Sequence, residues 1–267
     1  MAQIPPIVLS FAASDPSGGA GLQADILTIS SLGCHPLSVL TAITVQDTIG
    51  VHAIQALDHQ WVDAQARSVL ADSEVAVLKC GLLGSVHIIA TIAQIAREYP
   101  HLPLLIDPVL NSGRGDELST QAMIEAMREQ LFPLATLITP NSVEARRLVC
   151  ADDVPVSLDD CALRLLAMGC KQVLITGTHE ATSMVRNTLY RQDWQASLEW
   201  DLLAGNFHGS GCTLTSAIAA CMAQGLAIEE AVSTAQDYTW RALQKGYNIG
   251  QGQTIPDRLF WAREVHV

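Results

Sequence analysis

The sequence predicts an α/β fold in which a mostly parallel sheet carries helices on both of its faces. Short runs rich in Val, Ile and Leu alternate along the chain with longer helical patterns, and this alternation is typical of parallel sheets. Only 5% of the 267 residues are aromatic whereas 49% are hydrophobic, a composition that favours aliphatic helices packed on a buried sheet. Because the chain shows no internal repeat, low-complexity tract or linker, we expect residues 1–267 to form one domain.

Local patterns place the elements in order. A short apolar run bounded by turn residues indicates a buried strand, and we expect strands at residues 7–12, 37–45, 75–79, 102–106, 136–138 and 172–176. Apolar residues at helical spacing indicate helices, and we expect helices at residues 20–32, 59–70, 86–97, 120–130, 142–149, 158–168, 211–224 and 227–245. Residues 185–190 and 194–200 interrupt the alternation, so we expect a local antiparallel pair there.

Charge and cysteine content exclude several classes of function. The formal net charge is −12 and no run of Lys or Arg occurs, so we expect no binding of nucleic acid. No apolar run is long enough to span a membrane, and the N-terminus lacks the charged and apolar regions of a signal peptide. The seven cysteines form no CxxC pair and no zinc spacing with histidine, which indicates reduced, mostly buried thiols in a cytoplasmic protein.

The polar loops that follow the predicted strands are where we expect a site, because ligands of open α/β sheets bind beyond the carboxyl ends of the strands. These loops are residues 14–21, 46–50, 81–84, 107–116, 139–144, 176–180 and 205–212. None contains the G-x-x-x-x-G-K-[ST] sequence of a P-loop or the G-x-S-x-G sequence of a nucleophile elbow. The convergence of polar loops at one edge favours an enzyme over a scaffold.

The last of these loops carries the strongest chemical signal. His208-Gly209-Ser210-Gly211-Cys212-Thr213-Leu214 opens an apolar helical run, and the free N–H groups and positive dipole end of a helix N-terminus bind anions. The same field favours a thiolate at Cys212, on the first helical turn. The loop therefore fits a phosphate cradle with an ionisable thiol. It also fits a glycine-rich helix cap with a small buried cysteine.

Two further candidates lie near the first two strands. The loop from Asp15 to Gly21 brings three glycines to a helix start, where the backbone can approach a small ligand and Asp15 supplies a polar contact. An ordinary helix cap is the alternative. Asp25, one helical turn further, faces either the cleft or solvent. Gln46 ends an apolar strand, where its amide either reads the edge of a heterocycle or bonds within the loop.

A third candidate group carries oxygen ligands for a cation. Asn141 and Glu144 lie three residues apart at a predicted helix start, which is the spacing of a capping box. The functional alternative is an amide and a carboxylate that hold Mg²⁺ through water beside substrate phosphates. Asp107, at the end of a strand, adds a second carboxylate to this group.

Together these segments resemble the hydroxymethylpyrimidine/phosphomethylpyrimidine kinase family of thiamine biosynthesis, which has a ribokinase-like three-layer α/β/α fold. The resemblance covers nearly the whole chain and follows the family's order through residues 14–25, 41–48, 79–81, 107–109, 139–144 and 208–214. It implies Mg²⁺-dependent transfer of phosphate from ATP to the hydroxymethyl group of 4-amino-5-hydroxymethyl-2-methylpyrimidine, and then to the resulting monophosphate. It also implies a cytoplasmic homodimer.

The resemblance also implies roles for individual residues. Cys212 is implied as the catalytic base, and Gly209, Ser210 and Gly211 as the anion hole. The implied substrate-binding residues are Gln46, Ala13, Asp15, Gly21, Asp25 and Leu82. The implied nucleotide-binding residues are Asn141, Glu144, Thr176, Asn206 and His208, and the implied metal-binding residues are Asp107 and Glu144.

The chain departs from the family pattern mainly in its lysines. Where the family often has Lys, this chain has Gly113, Thr176 and Gly205. Because only three lysines occur in the whole chain, we expect positive charge at the site to come from Mg²⁺, backbone amides, Lys79 and Arg114. Where the family has glycine, this chain has Ala13 and Thr178.

Two alternative functions stay open at this point. A pyridoxal or pyridoxine kinase shares the fold and has relatives with the same cysteine loop. A non-catalytic sensor of pyrimidine phosphates, derived from a kinase, would account for the missing lysines.

Overall fold

The computed structural model describes residues 4–112, 115–150 and 156–263, and its strands form one sheet. Within these residues the sheet has nine strands, in the order β3-β2-β1-β4-β5-β6-β7-β8-β9. The strands are β1 (Ile7–Ser14), β2 (His35–Gln46), β3 (Val51–Ala56), β4 (Val75–Cys80), β5 (Leu104–Ile106), β6 (Leu137–Ile138), β7 (Val173–Ile175), β8 (Met184–Arg191) and β9 (Trp194–Asp201). Six strands from β2 to β7 in this order are parallel, whereas β3 pairs antiparallel with β2, and β8 pairs antiparallel with both β7 and β9.

Helices cover both faces of this sheet. They are α1 (Gly21–Ser31), α2 (His59–Asp72), α3 (Val86–Glu98), α4 (Gln121–Ala126), α5 (Ser142–Val149), α6 (Leu158–Ala167), α7 (Ser210–Ala223), α8 (Ile228–Gln244) and α9 (Phe260–Arg263). Helices α2 to α6 pack on one face, and α1, α7, α8 and α9 pack on the other. In the described part of the chain, no helix is long and apolar enough to cross a membrane.

Alternate residues of the central strands enter the two cores, as the two-residue period of a strand requires. In β5, Leu104 and Ile106 pack in the core under α2 to α6, whereas Leu105 packs in the core under α7 and α8. In β4, Leu78 packs in the core under α2 to α6, and Val77 packs in the core under α7 and α8. Because both faces are covered, these strands are apolar at every position except Lys79 of β4, which is why they appear in the sequence as short apolar runs.

The α/β fold and the antiparallel pair are confirmed. Apart from the helix expected at residues 120–130, no predicted strand or helix end is displaced by more than two residues. That helix is α-helical only to Ala126 and continues as a π-helical turn (Met127–Leu131) and a 3-10 turn (Phe132–Leu134). Two elements are not predicted from the sequence. They are β3, whose Val-His-Ala-Ile-Gln-Ala sequence lies half exposed at the sheet edge and forms no apolar run, and the four-residue helix α9.

The sheet has a topological switch point at β1. Phe11 of β1 pairs with Val39 of β2 on one side and with Cys80 of β4 on the other. The connections that leave the carboxyl ends of β1 and β4 therefore diverge and open a crevice between them. Open α/β sheets bind ligands at this position.

A buried ion pair lies beneath the crevice. Lys79 of β4 and Asp25 of α1 are fully buried, and Lys79 Nζ lies 2.9 Å from each carboxylate oxygen of Asp25. Ser10 of β1 and Ser216 of α7 donate hydroxyl hydrogen bonds to the same carboxylate, at 2.5 Å and 2.8 Å. Burial alone would lower the pKa of Lys79, but the negative charge of Asp25 raises it above its ordinary value, so the lysine is charged.

We predict that Lys79→Met lowers the free energy of unfolding by about 3–5 kcal/mol, because it leaves the Asp25 carboxylate buried without its counter-charge. Urea titration followed by circular dichroism measures this loss. The matched control is Arg186→Met, which breaks an ion pair with Glu199 whose side chains are 67% and 51% exposed. The control is expected to cost less than about 1 kcal/mol. A loss for Lys79→Met no larger than that of the control would contradict the prediction.

Candidate active site

A cavity of about 990 Å³ opens at the carboxyl ends of the parallel strands. Loops that follow the central strands, the β8–β9 hairpin and the helices α7 and α8 form its wall. The predicted site residues that line it are Ala13, Asp15, Gly21, Gln46, Leu82, Asp107, Asn141, Glu144, Thr176, Asn206, His208, Gly209, Ser210, Gly211 and Cys212. The fold thus brings into one cavity residues that are far apart in the sequence.

The N-terminus of α7 forms one part of the cavity wall. Gly209 precedes the helix with a φ of 75° and gives it no side-chain cap, so the N–H groups of the first turn have no intrahelical acceptor. A Cβ atom at this position would clash with the carbonyl oxygen of Gly19, so only glycine lets the two loops meet here. Ser210 and Gly211 line the cavity. The first turn of α7 therefore presents free donors and a positive dipole end to a ligand, which is the arrangement of an anion site.

Cys212 lies on this turn as a neutral thiol. Burial and the negative charge of Asp107 raise the pKa of Cys212 to about 12, although the charge of Lys79 opposes the rise. The expectation that the helix N-terminus favours a thiolate here is therefore wrong for the protein alone. Desolvation and Asp107 outweigh the field of the helix.

His208 joins the loop after β1 to the end of β2. Its Nε2 atom lies 2.8 Å from Asp15 Oδ2 and 2.8 Å from Gln46 Nε2. Asp15 also accepts hydrogen bonds from the backbone N–H groups of Ser17 and Ala20, at 2.8 Å and 2.7 Å. Burial raises the pKa of Asp15, but the hydrogen bonds from His208 and Ser17 outweigh it and leave the pKa below its ordinary value. Asp15 is therefore an ionised carboxylate.

The charge of Asp15 fixes the hydrogen bonds of Gln46. A carboxylate only accepts, so His208 Nε2 carries a proton and donates it to Asp15. The Thr44 hydroxyl lies 2.9 Å from the Ser14 carbonyl oxygen and 3.1 Å from Gln46 Oε1, and its one hydrogen goes to the carbonyl. When the Gln46 amide is turned so that its nitrogen faces Thr44 and its oxygen faces His208, the single Nε2 hydrogen of His208 is shared between Asp15 and the Gln46 oxygen. This network holds the amide of Gln46 in one orientation at the cavity wall.

Asp107 and Glu144 form a buried acidic pair. The capping box is present, because Glu144 Oε2 accepts from Asn141 N at 3.0 Å and Asn141 Oδ1 accepts from Glu144 N at 2.9 Å. Burial and the charge of Asp107 raise the pKa of Glu144 to about 8, and burial raises that of Asp107 to about 6. Among the described residues, no group donates to Asp107 Oδ2, although this oxygen is buried. Two such carboxylates favour a cation beside them.

Backbone hydrogen bonds hold Thr176 and Asn206 at the cavity wall. Thr176 N donates to the Pro140 carbonyl at 3.1 Å, and the Thr176 carbonyl accepts from Ser142 N at 2.9 Å. These bonds place Thr176 beside the start of α5. The Asn206 carbonyl accepts from Thr254 N at 2.9 Å, which ties the loop before α7 to the C-terminal segment.

One end of the cavity is aromatic, a feature that the sequence pattern does not predict. Trp200 of β9 and Trp240 of α8 have ring centroids 6.0 Å apart. Gln236 Oε1 accepts from Trp200 Nε1 at 3.0 Å and from Asn187 Nδ2 at 2.9 Å, while the buried Thr239 hydroxyl has no partner among the described residues. The apolar residues of this end are Val185, Leu202, Leu203 and Leu243. Tryptophan in an aromatic-poor chain was an available signal, but the sequence does not show that the two rings meet.

Some predicted contributions do not reach the cavity surface. Asp25 pairs with Lys79 in the interior and does not line the cavity, so it supports the wall and does not contact a ligand. The charge of Lys79 is likewise offset by Asp25 and is not free for a phosphate. Gly113 and Arg114 lie outside the described residues. On the wall that the structure describes, Arg147 is the one Lys or Arg side chain.

Comparison with known proteins identifies the family. A family model described as phosphomethylpyrimidine kinase matches residues 15–257. The chain belongs to this family. It is 39% identical over 262 residues to hydroxymethylpyrimidine/phosphomethylpyrimidine kinase of Mycobacterium tuberculosis (strain H37Rv), and the match covers 96% of this chain and 94% of the relative. The family expected from the motifs is therefore confirmed, and with it a phosphotransferase.

Solved structures of related kinases share the fold. The ADP complex of Bacillus subtilis pyridoxal kinase is 30% identical with a TM-score of 0.88, over 95% of this chain and 97% of that one. Phosphomethylpyrimidine kinase of Clostridium difficile 630 is 33% identical with a TM-score of 0.76, over 89% of this chain and 98% of that one. The expected ribokinase-like arrangement of a mostly parallel sheet between two helical layers is confirmed.

An ion pair holds the loop after β7 against α5, next to the acidic pair. Arg146 donates to the two carboxylate oxygens of Glu180 at 2.7 Å and 2.9 Å. These hydrogen bonds lower the pKa of Glu180 to about 2. Because the carboxyl of Glu180 is bound as an anion, the loop that contains Thr176 and His179 is tied to the helix that carries Glu144.

We predict that Glu180→Gln lowers stability at pH 7 by about 1 kcal/mol, a small value because both side chains are partly exposed. Because the pKa of Glu180 is lower in the folded protein than in the unfolded chain, its carboxylate stabilises the fold at pH values above about 4.5. This stabilisation is lost as the pH falls toward 2. The difference between wild type and variant should therefore disappear between about pH 4.5 and 2. Thermal unfolding across this range measures it. Glu199→Gln, at the more exposed pair with Arg186, is the control, and a pH-independent difference for Glu180→Gln would contradict the assignment.

Proposed function

We propose that the protein transfers the γ-phosphoryl group of ATP to the hydroxymethyl group of 4-amino-5-hydroxymethyl-2-methylpyrimidine, and then phosphorylates the monophosphate to the diphosphate for thiamine diphosphate synthesis. The observation that carries the proposal is the free N-terminus of α7, with Cys212 on its first turn, in the same cavity as the fixed amide of Gln46. The names of the relatives support the same reaction.

The pyrimidine occupies the side of the cavity next to β1 and β2. An aminopyrimidine offers a ring-nitrogen acceptor beside an exocyclic amino donor, and an amide can pair with both. Gln46 is suited to this because His208 and Thr44 fix its orientation. Ala13, Gly21 and Leu82 supply the close backbone and apolar contacts around the ring. The hydroxymethyl group then points to the N-terminus of α7.

Phosphoryl transfer takes place at that N-terminus. The hydroxymethyl oxygen forms a bond to the γ-phosphorus as the bond from that phosphorus to the β–γ bridging oxygen breaks, and ADP leaves. The N–H groups of the Gly209-Ser210-Gly211-Cys212 turn bind the equatorial oxygens, since phosphoryl transfer depends mainly on positioning and charge stabilisation. The thiol proton of Cys212 first passes to solvent in the open cavity, and the resulting thiolate then takes the proton of the hydroxymethyl group. Positive charge near Asp107 is needed for this, because Asp107 is one cause of the high pKa of Cys212.

The nucleotide lies along the other side of the cavity. Asn141 at the start of α5 and the adjacent Thr176 line the same cavity as the anion site and the aromatic end. The adenine ring fits the aromatic end against Trp200 and Trp240, where base stacking on tryptophan contributes roughly 1–3 kcal/mol. The loop of Asn206 and His208 covers the phosphates.

Asp107 and Glu144 fit a Mg²⁺ ion. Asp107 has a buried oxygen without a donor among the described residues, and burial together with the negative charge of Asp107 raises the pKa of Glu144. No group of three or more His, Cys, Asp or Glu side chains that could hold a metal occurs among residues 4–112, 115–150 and 156–263. Mg²⁺ takes one or two carboxylates together with water and substrate phosphates. When bound, the ion offsets the charge that develops on the phosphates.

Pyridoxal kinase is the second candidate. The observation in its favour is the TM-score of 0.88 with Bacillus subtilis pyridoxal kinase, higher than the 0.76 with the phosphomethylpyrimidine kinase of Clostridium difficile. Sequence identity favours the pyrimidine, at 39% over 96% of the chain for the Mycobacterium tuberculosis relative. Both substrates carry a hydroxymethyl group beside an aromatic nitrogen ring, so the transfer step is the same for both.

The function is tested by steady-state turnover of the wild type with ATP and Mg²⁺ on hydroxymethylpyrimidine, its monophosphate and pyridoxal. We predict that both pyrimidines are phosphorylated with a kcat/KM at least about tenfold above that of pyridoxal, a difference of about 1.4 kcal/mol in transition-state binding. A preference for pyridoxal would replace the first candidate with the second. Binding of the pyrimidines without turnover would favour a sensor.

We predict that Cys212→Ala lowers kcat by about 10²–10⁴-fold on the preferred substrate, the range for loss of a general base. Its KM should change little, because the thiol acts on the proton and not on the ring. Cys150→Ala is the matched control, since Cys150 is also a free, half-buried cysteine but lies outside the cavity. A kcat for Cys212→Ala close to that of the control would exclude Cys212 as the base.

We further propose that the protein is a cytoplasmic homodimer. Ile43 and Val45 of β2 are 48% and 62% exposed, and Ile49 in the next turn is 44% exposed. Such a patch beside the cavity favours burial against a second copy. All seven cysteines are free thiols, as expected in a reducing compartment.

Light scattering should give twice the chain mass of 28.6 kDa, and Val45→Asp should reduce it to the mass of one chain. A monomeric wild type would contradict the dimer.

A further inference from the structure

Arg258 is a buried guanidinium behind the anion site, and it has no role in the proposed reaction. It precedes α9 and is only 2% exposed. Its Nε donates to Thr213 Oγ1 at 3.0 Å, and its Nη1 and Nη2 donate to the carbonyl oxygens of Gly18 and Gly19 at 3.3 Å and 2.5 Å. One side chain thus binds both the loop after β1 and the first turn of α7.

The positive charge of Arg258 has no carboxylate partner. Its three acceptors are a hydroxyl and two carbonyl oxygens, and in the described part of the chain no carboxylate lies within ion-pair distance of it. The neighbouring Asp257 pairs with Arg263 instead, at 3.1 Å. Burial lowers the pKa of Arg258 below its ordinary value, but a guanidinium stays protonated in proteins. Lys79 differs in that Asp25 offsets its charge.

The contacts of Arg258 lead directly to the anion site. Thr213 accepts from Arg258 and donates its own hydroxyl hydrogen to the Gly209 carbonyl at 2.8 Å. The carbonyl of Gly19, which Arg258 also binds, lies against Gly209 on its other side. The guanidinium therefore holds the residue that precedes α7 through two routes. Its charge also adds to the positive dipole end of α7 on the side away from the ligand.

We propose that Arg258 is a positioning residue that biases the cavity toward anionic ligands, because its buried charge, which forms no direct ion pair within the described residues, supports the N-terminus of α7 from behind. An isolated buried charge is costly unless an opposite charge approaches it. The phosphate that binds the first turn of α7 is that opposite charge. Arg258 thus supplies part of the positive charge that the family places on lysines, which are absent here at Thr176 and Gly205.

This inference rests on the proposed function. A role of the Arg258 charge and a merely structural role predict different changes in ligand binding. Loss of the charge weakens binding of a phosphorylated ligand such as ADP. It leaves binding of the neutral alcohol unchanged, because the hydroxymethylpyrimidine carries no charge at the α7 end. Loss of the loop contacts alone would weaken both ligands, since Gly18 and Gly19 belong to the loop next to the substrate.

Calorimetry with ADP and with hydroxymethylpyrimidine on wild type, Arg258→Gln and Arg258→Lys tests the inference. Arg258→Gln should bind ADP about tenfold more weakly, the effect of a charge at a helix terminus in a partly buried setting. Arg258→Lys keeps the charge and should stay within about threefold of wild type. Both variants should bind the neutral alcohol within about twofold of wild type. Arg263→Gln, which removes the same charge from the exposed end of the same segment, is the control and should match wild type with both ligands.

Unchanged ADP affinity of Arg258→Gln, or an equal loss of both ligands, would overturn the inference. If Arg258→Gln does not fold, Arg258→Lys decides: retained ADP affinity supports a role of charge, and a tenfold loss contradicts it. Wild-type turnover distinguishes failure of the proposed function from failure of the proposed role of Arg258. If the wild type does not phosphorylate the pyrimidine, the proposed function fails, while the comparison of variants with ADP keeps its meaning for any nucleotide-dependent kinase of this fold.

Discussion

One buried carboxylate connects the four elements that carry the site. Asp25 of α1 binds Lys79 of β4, Ser10 of β1 and Ser216 of α7. The two strands at the switch point and two of the helices whose N-termini reach the cavity, α1 and α7, therefore share one anchor. A buried ion pair adds little net stability compared with apolar packing, but it permits only one arrangement of its partners. Its role here is to fix where α7 begins relative to the sheet, and so where a phosphate binds.

The charge balance of the cavity wall sets how a nucleotide can be held. Asp15, Asp107, Glu144 and Asp201 face it, whereas Arg147 is the one Lys or Arg on the described wall. A polyanion therefore cannot be held mainly by point charges of side chains. The negative charge of the nucleotide must therefore be balanced by several sources together. These are the backbone dipoles at the start of α7, a cation beside the acidic pair, and positive charge from the interior. Dipoles that the fold holds in place need no reorganisation when charge moves during transfer.

The sequence predicts the architecture and most of the wall, because apolar runs, helix caps and polar strand ends are local features. It does not predict which residues meet. Asp25 and Lys79 are separated by 54 positions, so the sequence leaves Asp25 as a possible ligand contact when it is an internal anchor. The thiol state of Cys212 depends on Asp107, which only the fold brings near. Arg258 stands alone in a C-terminal segment without a motif, and its importance comes only from what it touches.

The contacts that complete the anion site also determine when it can exist. Arg258 is 240 positions from Gly18, His208 is 193 from Asp15, and Ser216 is 191 from Asp25. Contacts over such separations form late in folding, because the entropy cost of closing a long loop precedes the contacts that offset it. A chain still being synthesised can build its first strands and helices, but its anion site is incomplete until the segment with Arg258 docks. Nucleotide binding should therefore reach its full strength only in molecules that have completed folding.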